Sequence, residues 1–176
     1  KKGSISISFD DGKKNIITNV FPIIQKYEIP ITIFICPELV GKKNYLNLED
    51  IKFLKLSGLV EIGAHGYRHI PYKNQNNGEF LNEISLMKKW FINNLNEEIL
   101  YFSFPFGSFN KNIIKLIKKE KLFRYSFCSD FRTFKLNDLD YHIIPRIQIW
   151  EYDNLSSFND KIKGNWNWAR KLISYG

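Results

Sequence analysis

Strand-like and helix-like segments alternate along this 176-residue chain. That alternation predicts an α/β fold of mostly parallel strands joined by right-handed crossovers. Two further observations narrow the class to a distorted, reduced (β/α) barrel. Residues able to carry chemistry fall just after strands, at Asp10-Asp11, from His65 to His69 and from Phe104 to Gly107, the face on which α/β barrels gather their reactive groups. The chain is also shorter than the ~250 residues typical of eight full units. A single domain over 1–176 is expected, because there is no internal repeat and no linker-like stretch.

Each element has its own local reason. Residues 4–9 alternate as a half-buried strand does. Pro22 suits a first helical turn but disrupts a helix interior. A helix is therefore expected over 21–28 rather than 13–28, with Ile23, Ile24 and Tyr27 inward and Ile29-Pro30 ending it. Residues 31–35 are a β-branched run expected to be buried on both faces. Asn47 caps a helix over 48–57, with Asp50 three residues later and Gly58 at its end. The strand 59–62 then delivers His65 just past its end. After the polar loop 74–78, Phe80, Ile84, Met87, Trp90, Phe91 and Leu95 recur at three and four residues, giving an amphipathic helix over 79–95. Residues 99–104 form a strand that ends in Pro105-Phe106-Gly107, and Asn110 caps a helix carrying Ile113, Ile114 and Ile117. Residues 125–128 and 143–149 read as further strands, and 155–163 as a last helix.

Composition excludes several classes. A hydrophobic share of 44% suits a compact domain with a substantial core. No stretch approaches the roughly 20 apolar residues that span a bilayer. Lys1-Lys2-Gly3-Ser4 leads straight into a strand, with no signal-peptide pattern, so cytoplasmic and envelope-associated locations both stay open. Cys36 and Cys128 are far apart, and buried free thiols are expected. The net charge of +8 comes from lysines spread along the chain, with no arginine-rich cluster or ribonucleoprotein motif, so no nucleic-acid partner is expected. Nothing in the sequence indicates an oligomeric state.

The chemistry starts at Ser8-Phe9-Asp10-Asp11-Gly12. Neighbouring strand side chains point to opposite sides, so two adjacent aspartates share one environment only if the backbone turns, which Gly12 allows. One carboxylate is then free to hold a metal while its neighbour handles a proton. Alone, the pair is equally a turn or a capping pair, and histidines alone serve many structural roles. Together with His65 and His69 they suggest a metal-dependent hydrolase. Two imidazoles and a carboxylate suit a divalent ion with open positions, which lowers the pKa of bound water towards about 7 and polarises an amide carbonyl.

Three motifs in order carry a family resemblance. Ser8-Phe9-Asp10-Asp11-Gly12, His65-Gly66-Tyr67-Arg68-His69 and Phe104-Pro105-Phe106-Gly107 resemble the first three motifs of polysaccharide deacetylases, the NodB-homology domain of carbohydrate esterase family 4. The resemblance implies a NodB-type barrel that hydrolyses the N-acetyl group of an amino sugar in a polysaccharide, glycan or glycolipid precursor. It implies Asp11, His65 and His69 as metal ligands and Asp10 as catalytic base. The metal would be one divalent ion, Zn²⁺ by preference, with Co²⁺ or Ni²⁺ compatible with the same donors. Pro105, Phe106 and Gly107 would line the substrate, with the Phe106 N–H as oxyanion donor. A phenylalanine in place of the family's usual tyrosine keeps that donor.

Two departures stand out. The family's arginine ahead of the proline segment is absent, since Ser103 and Phe104 occupy that region. Arg146, in an otherwise apolar strand, requires a carboxylate partner and is expected to orient Asp10. Leu139-Asp140-Tyr141-His142 matches the letters of the last motif, whose histidine is a general acid. His142 precedes its strand, however, which puts it on the opposite rim. Trp150, Tyr152, Trp166 and Trp168 are available to stack on sugars, though packing is their commoner role. An amide hydrolase of small non-sugar substrates and a catalytically weak carbohydrate-binding relative remain alternatives.

Overall fold

The computed structural model describes residues 5–130 and 140–166. Ser4, Leu139 and Trp168, which enter the expectations above, lie outside them. Six strands pair in chain order, every neighbour parallel: β1 (Ile7–Phe9), β2 (Ile31–Ile35), β3 (Val60–Ala64), β4 (Tyr101–Ser103), β5 (Tyr125–Ser129) and β6 (Ile144–Arg146). The helices are α1 (Phe21–Tyr27), α2 (Leu48–Leu56), α3 (Asn77–Leu95), α4 (Lys111–Glu120) and α5 (Leu155–Ile162).

The sheet is curled into a half-barrel. Laid flat, five inter-strand steps would separate β1 from β6 by about 24 Å, far beyond one side chain's reach. Yet Arg146 at the end of β6 hydrogen-bonds Ser8 on β1 at 3.0 Å. The reduced, parallel architecture expected from the sequence is therefore the one observed.

The core lies between the curled sheet and the helices. Ile33, Ile35 and Phe102 from the strands and Ile51, Phe80 and Phe91 from the helices belong to one buried cluster. Phe102 stacks on Phe123 with centroids 4.5 Å apart and meets Phe104 edge-on at 5.0 Å. The capping residues behave as their side-chain chemistry dictates. Asn47 and Asn76 form reciprocal capping boxes with Asp50 and Glu79. Asn110 accepts from the N–H groups of Asn112 and Ile113 and donates to the Lys73 carbonyl, which ties the loop before α3 to α4. Cys36 and Cys128 are buried free thiols. No helix among the described residues is long and apolar enough to cross a membrane.

The structure corrects the first helix. Helical residues begin at Ile16, where a turn of π-helix (Ile16–Val20) precedes α1 and the Phe21 N–H bonds to the Ile16 carbonyl. Pro22 has no N–H to give and its ring crowds the carbonyl four residues back; a wider turn accommodates both. The extra residue rotates α1, so Phe21 and Ile24 face the core while Ile23 and Tyr27 are exposed. Strand ends also shift. β3 runs on to Ala64, whereas β4 and β6 are shorter than their apolar stretches.

Gly63 on β3 marks a close approach. A Cβ there would sit 2.6 Å from the Phe34 ring and 3.1 Å from the Tyr101 carbonyl. Gly63→Ala is expected to destabilise the fold by about 1–3 kcal/mol through overpacking, read as a lower midpoint in urea denaturation.

Candidate active site

The carboxyl ends of β1, β3, β4 and β6 supply the site. After β1 the chain turns at once: Asp11 (φ 69°) and Gly12 (φ 71°) are both left-handed, and the Gly12 N–H bonds to the Asp10 carbonyl at 2.9 Å. Aspartate tolerates this conformation better than most residues. The turn therefore lies in Asp11 itself as well as in the glycine, and it brings both carboxylates to one side.

Asp10 meets Arg146 in a fork. Arg146 donates to Asp10 Oδ1 and Oδ2, both at 2.7 Å, and also to Ser8 Oγ at 3.0 Å and Ser103 Oγ at 2.6 Å. Such planar bidentate pairing fixes orientation as well as charge. Burial pushes the Asp10 carboxyl up, but the hydrogen bonds and charge of Arg146 outweigh it and hold it below its usual range. Asp10 is thus ionised and unable to rotate freely.

His65 leaves β3 buried, its N–H bonded to the Ile35 carbonyl at 2.8 Å. Its Nδ1 lies 2.8 Å from the Ser103 carbonyl. A carbonyl only accepts, so Nδ1 carries the proton and the Nε2 lone pair is free. Burial lowers the His65 pKa despite the neighbouring carboxylates, which favours the neutral ring. Nε2 faces Asp11 Oδ1 at 3.6 Å, and His69 Nε2 approaches the same oxygen at 3.0 Å. That contact from His69, then burial acting against it, leaves the Asp11 carboxyl below its usual range.

These three side chains fit a divalent cation. Their ligand atoms all lie within 4.8 Å of one another. Zn²⁺ takes nitrogen and oxygen at about 2.0–2.2 Å, which spaces tetrahedral ligands about 3.4 Å apart; the observed 3.0 and 3.6 Å bracket that value. The free Nε2 of His65 supplies the unprotonated donor that such binding needs.

Phe106 stands at the rim, 67% exposed, with its ring 4.7 Å from that of His69. Its φ of 58° is rare for a bulky residue. The Gly107 and Ser108 N–H groups close the turn by bonding to the Phe104 and Pro105 carbonyls, so the Phe106 N–H is not used in doing so. Pro105 and Gly107 are buried beneath, with a Gly107 Cβ position only 3.1 Å from Ser129.

His142 is elsewhere. It precedes β6, its N–H bonded to Asp140 Oδ1 at 3.0 Å, while Arg146 ends the same strand. Trp150 packs against Tyr152, Trp166 and the Lys161 ammonium, with Tyr152 exposed.

Sequence reasoning missed Ser8, Ser103 and Lys13. The serines are small polar residues in otherwise apolar strands, a readable signal that Arg146 explains. Lys13 Nζ sits 3.6 Å from Asp11 Oδ2 while bonding Tyr45 at 2.7 Å, so the outer oxygen of Asp11 faces a cation and the inner one faces the histidines. Nothing in the spacing points to Tyr45.

Comparison with known proteins places the chain among relatives. The chain is 30% identical over 161 residues to the poly-beta-1,6-N-acetyl-D-glucosamine N-deacetylase of Staphylococcus aureus, covering 84% of this chain and 55% of that protein. It is 28% identical, with the same coverage, to the protein of that name from Staphylococcus epidermidis. The chain thus spans about half the length of the curated relatives it matches. Among solved structures, a polysaccharide deacetylase from Bacillus cereus superposes with a TM-score of 0.78 at 19% identity, over 90% of this chain and 51% of that one. IcaB from Ammonifex degensii gives 0.73 at 21%, over 92% and 72%. At these identities the structural likeness speaks for the fold alone. The sequence evidence goes further: the polysaccharide deacetylase family model matches residues 1–123, and on that match the chain belongs to this family.

Proposed function

We propose that the chain is a metal-dependent N-deacetylase that removes acetyl groups from N-acetylglucosamine units of a polysaccharide. The β-1,6-linked polymer named for its staphylococcal relatives is the first candidate substrate. The observation that carries this reading is the fork between Arg146 and Asp10, set beside Asp11, His65 and His69. It supplies an oriented, ionised carboxylate within 3.8 Å of the nearest imidazole nitrogen. A divalent ion on Asp11 Oδ1, His65 Nε2 and His69 Nε2 would polarise the amide carbonyl and acidify water.

The chain's own groups do the rest. Asp10 accepts the proton of the attacking water as its oxygen joins the acetyl carbon. The Phe106 N–H donates to the oxygen that becomes negative, an interaction stronger in the transition state than in the ground state. The C–N bond then breaks, acetate departs and the sugar amine gains a proton. Of the three histidines in the chain, two are the proposed ligands and His142 lies before β6, so none supplies that proton. Asp10 does, or solvent does. A carboxyl whose pKa is lowered holds its proton loosely, so Asp10 returns readily what it accepted.

Acetate release from β-1,6-linked N-acetylglucosamine oligomers tests the assignment. Release that stops with a chelator and returns with Zn²⁺ or Co²⁺ is expected. Metal binding without release from any sugar or small amide would make this a binding relative; release from small amides alone would move the substrate class. Asp10→Asn should keep stoichiometric metal while turnover falls about 10²–10⁴-fold, and an active variant would remove Asp10 from the role of base. Arg146→Ala frees Asp10 to swing, and misplacement of about 1 Å is enough for roughly 10²-fold. Its kcat should fall with metal content unchanged and the circular dichroism of the folded chain retained.

A further inference from the structure

We propose that Glu83 is a positioning residue of the metal site, holding the His65–His69 loop in the shape that lets both imidazoles face one ion. This inference rests on the metal-dependent reading above. Glu83 lies on α3 among Phe80, Ile84 and Met87, with none of its surface exposed. A carboxylate so placed is unfavourable unless charged or hydrogen-bonding partners surround it. Its partners all come from the loop. Oε1 accepts from the Tyr67 N–H at 3.1 Å and the Arg68 N–H at 2.7 Å, while Oε2 accepts from Arg68 Nε at 2.8 Å.

The same short loop is held from its other side. The Tyr67 carbonyl accepts from Cys36 Sγ and from the Glu38 N–H, each at 3.0 Å. Behind it, a Cβ on Gly66 would meet the Tyr72 hydroxyl at 2.5 Å. The Tyr67 peptide is therefore pinned through both its donor and its acceptor, by α3 and by the segment after β2.

Consider what this does for the two ligands. His65 is fixed independently, by β3 and by the Ser103 carbonyl. Among the described residues, His69 has no backbone carbonyl orienting its ring as Ser103 orients that of His65. Its backbone is left-handed at φ 55°, and its ring meets Asp11, His65 and Phe106. The position of its Cα follows from residues 66–68, and that stretch is shaped by Glu83. The carboxylate touches neither histidine, so it acts only through the loop. Groups bonded directly to a metal ligand change metal affinity by about 10- to 100-fold when lost, and Glu83, acting one step further out, is expected near the lower end of that range.

The test uses Zn²⁺ affinity by competition with a chelating dye and the visible spectrum of the Co²⁺-loaded chain. Glu83→Gln keeps one carbonyl oxygen for the two N–H groups but turns an amide donor towards Arg68 Nε. It is expected to weaken Zn²⁺ binding about tenfold or more and to shift the Co²⁺ bands as His69 moves. Glu83→Asp retracts the charge by one methylene and, should the glutamine variant not fold, must show the same change. Met87→Ala, on the same helix face but away from the loop, destabilises the fold without touching the site and should leave affinity and spectrum as in the wild type. Wild-type affinity and spectrum in a folded Glu83 variant, or equal loss in Met87→Ala, overturns the positioning role. A wild-type chain that binds neither Zn²⁺ nor Co²⁺ overturns instead the metal reading beneath it.

Discussion

The fork between Arg146 and Asp10 is the constraint on which the rest of the site depends. It joins the two outermost strands of the curled sheet. β1 contributes Ser8 and Asp10, β6 contributes Arg146 and β4 contributes Ser103, so one guanidinium ties three strands at their carboxyl ends. The same contact serves the chemistry. A carboxylate half-buried without a cation would be pushed towards its neutral form; with Arg146 it stays charged and aimed. One ion pair therefore both ties the strand ends together and keeps Asp10 ionised and aimed. An arginine suits this position better than a lysine, because only the planar fork reaches both oxygens of Asp10 and two hydroxyls together.

Around that pair the polar groups are arranged so that each has one available state. Ser103 takes part through two different atoms: its hydroxyl accepts from Arg146, and its carbonyl selects the His65 tautomer. Lys13 lies near one oxygen of Asp11 and leaves the other to the histidines. Backbone strain is concentrated at the same place. Among the described residues, seven other than glycine have positive φ. Glu28, Asn96 and Lys121 terminate α1, α3 and α4, where left-handed caps are ordinary, and Asn44 lies in a loop. The other three are Asp11, His69 and Phe106. Each such residue is unfavourable by about 1–3 kcal/mol when its type resists the conformation. Only a surrounding structure as firmly held as the Tyr67 peptide keeps them there.

How much of this could be read from the residues follows from what is local. Alternation, caps and motif order depend on neighbours in sequence, so the parallel half-barrel, the caps Asn47 and Asn110 and the grouping of Asp10, Asp11, His65 and His69 were all visible. The pairing of Arg146 with Asp10 is reachable because an arginine in an apolar strand requires a carboxylate partner and the region of Ser103 and Phe104 supplies no arginine for Asp10. The start of the first helix was misread because Pro22 argues against a regular helix, and a π turn is an exception that composition does not announce. Ser8 and Ser103 were overlooked because a serine in a strand has many uses, and only the arrival of Arg146 selects one. Glu83 was hidden for a different reason. On a helical wheel it sits beside Phe80, Ile84 and Met87, where a single acid looks like an irregularity at the edge of an apolar face. Two of its three bonds come from backbone N–H groups fifteen and sixteen residues away, which leave no trace in residue identity, and the third comes from the Arg68 side chain.

The same reasoning explains why a phenylalanine at position 106 is compatible with catalysis. What the proposed reaction asks of this residue is an N–H aimed at the developing oxyanion, and the direction of an N–H is set by the backbone. Here the backbone is fixed by the turn Pro105–Gly107, by the bonds that Gly107 and Ser108 donate within it, and by the close contact of Gly107 with Ser129. None of these involves the ring. The ring is left to pack against His69, with centroids 4.7 Å apart and planes tilted by 54°, while most of its surface stays exposed. A hydroxyl on this ring would add one more group to be solvated at the rim, and the backbone donor would be unchanged.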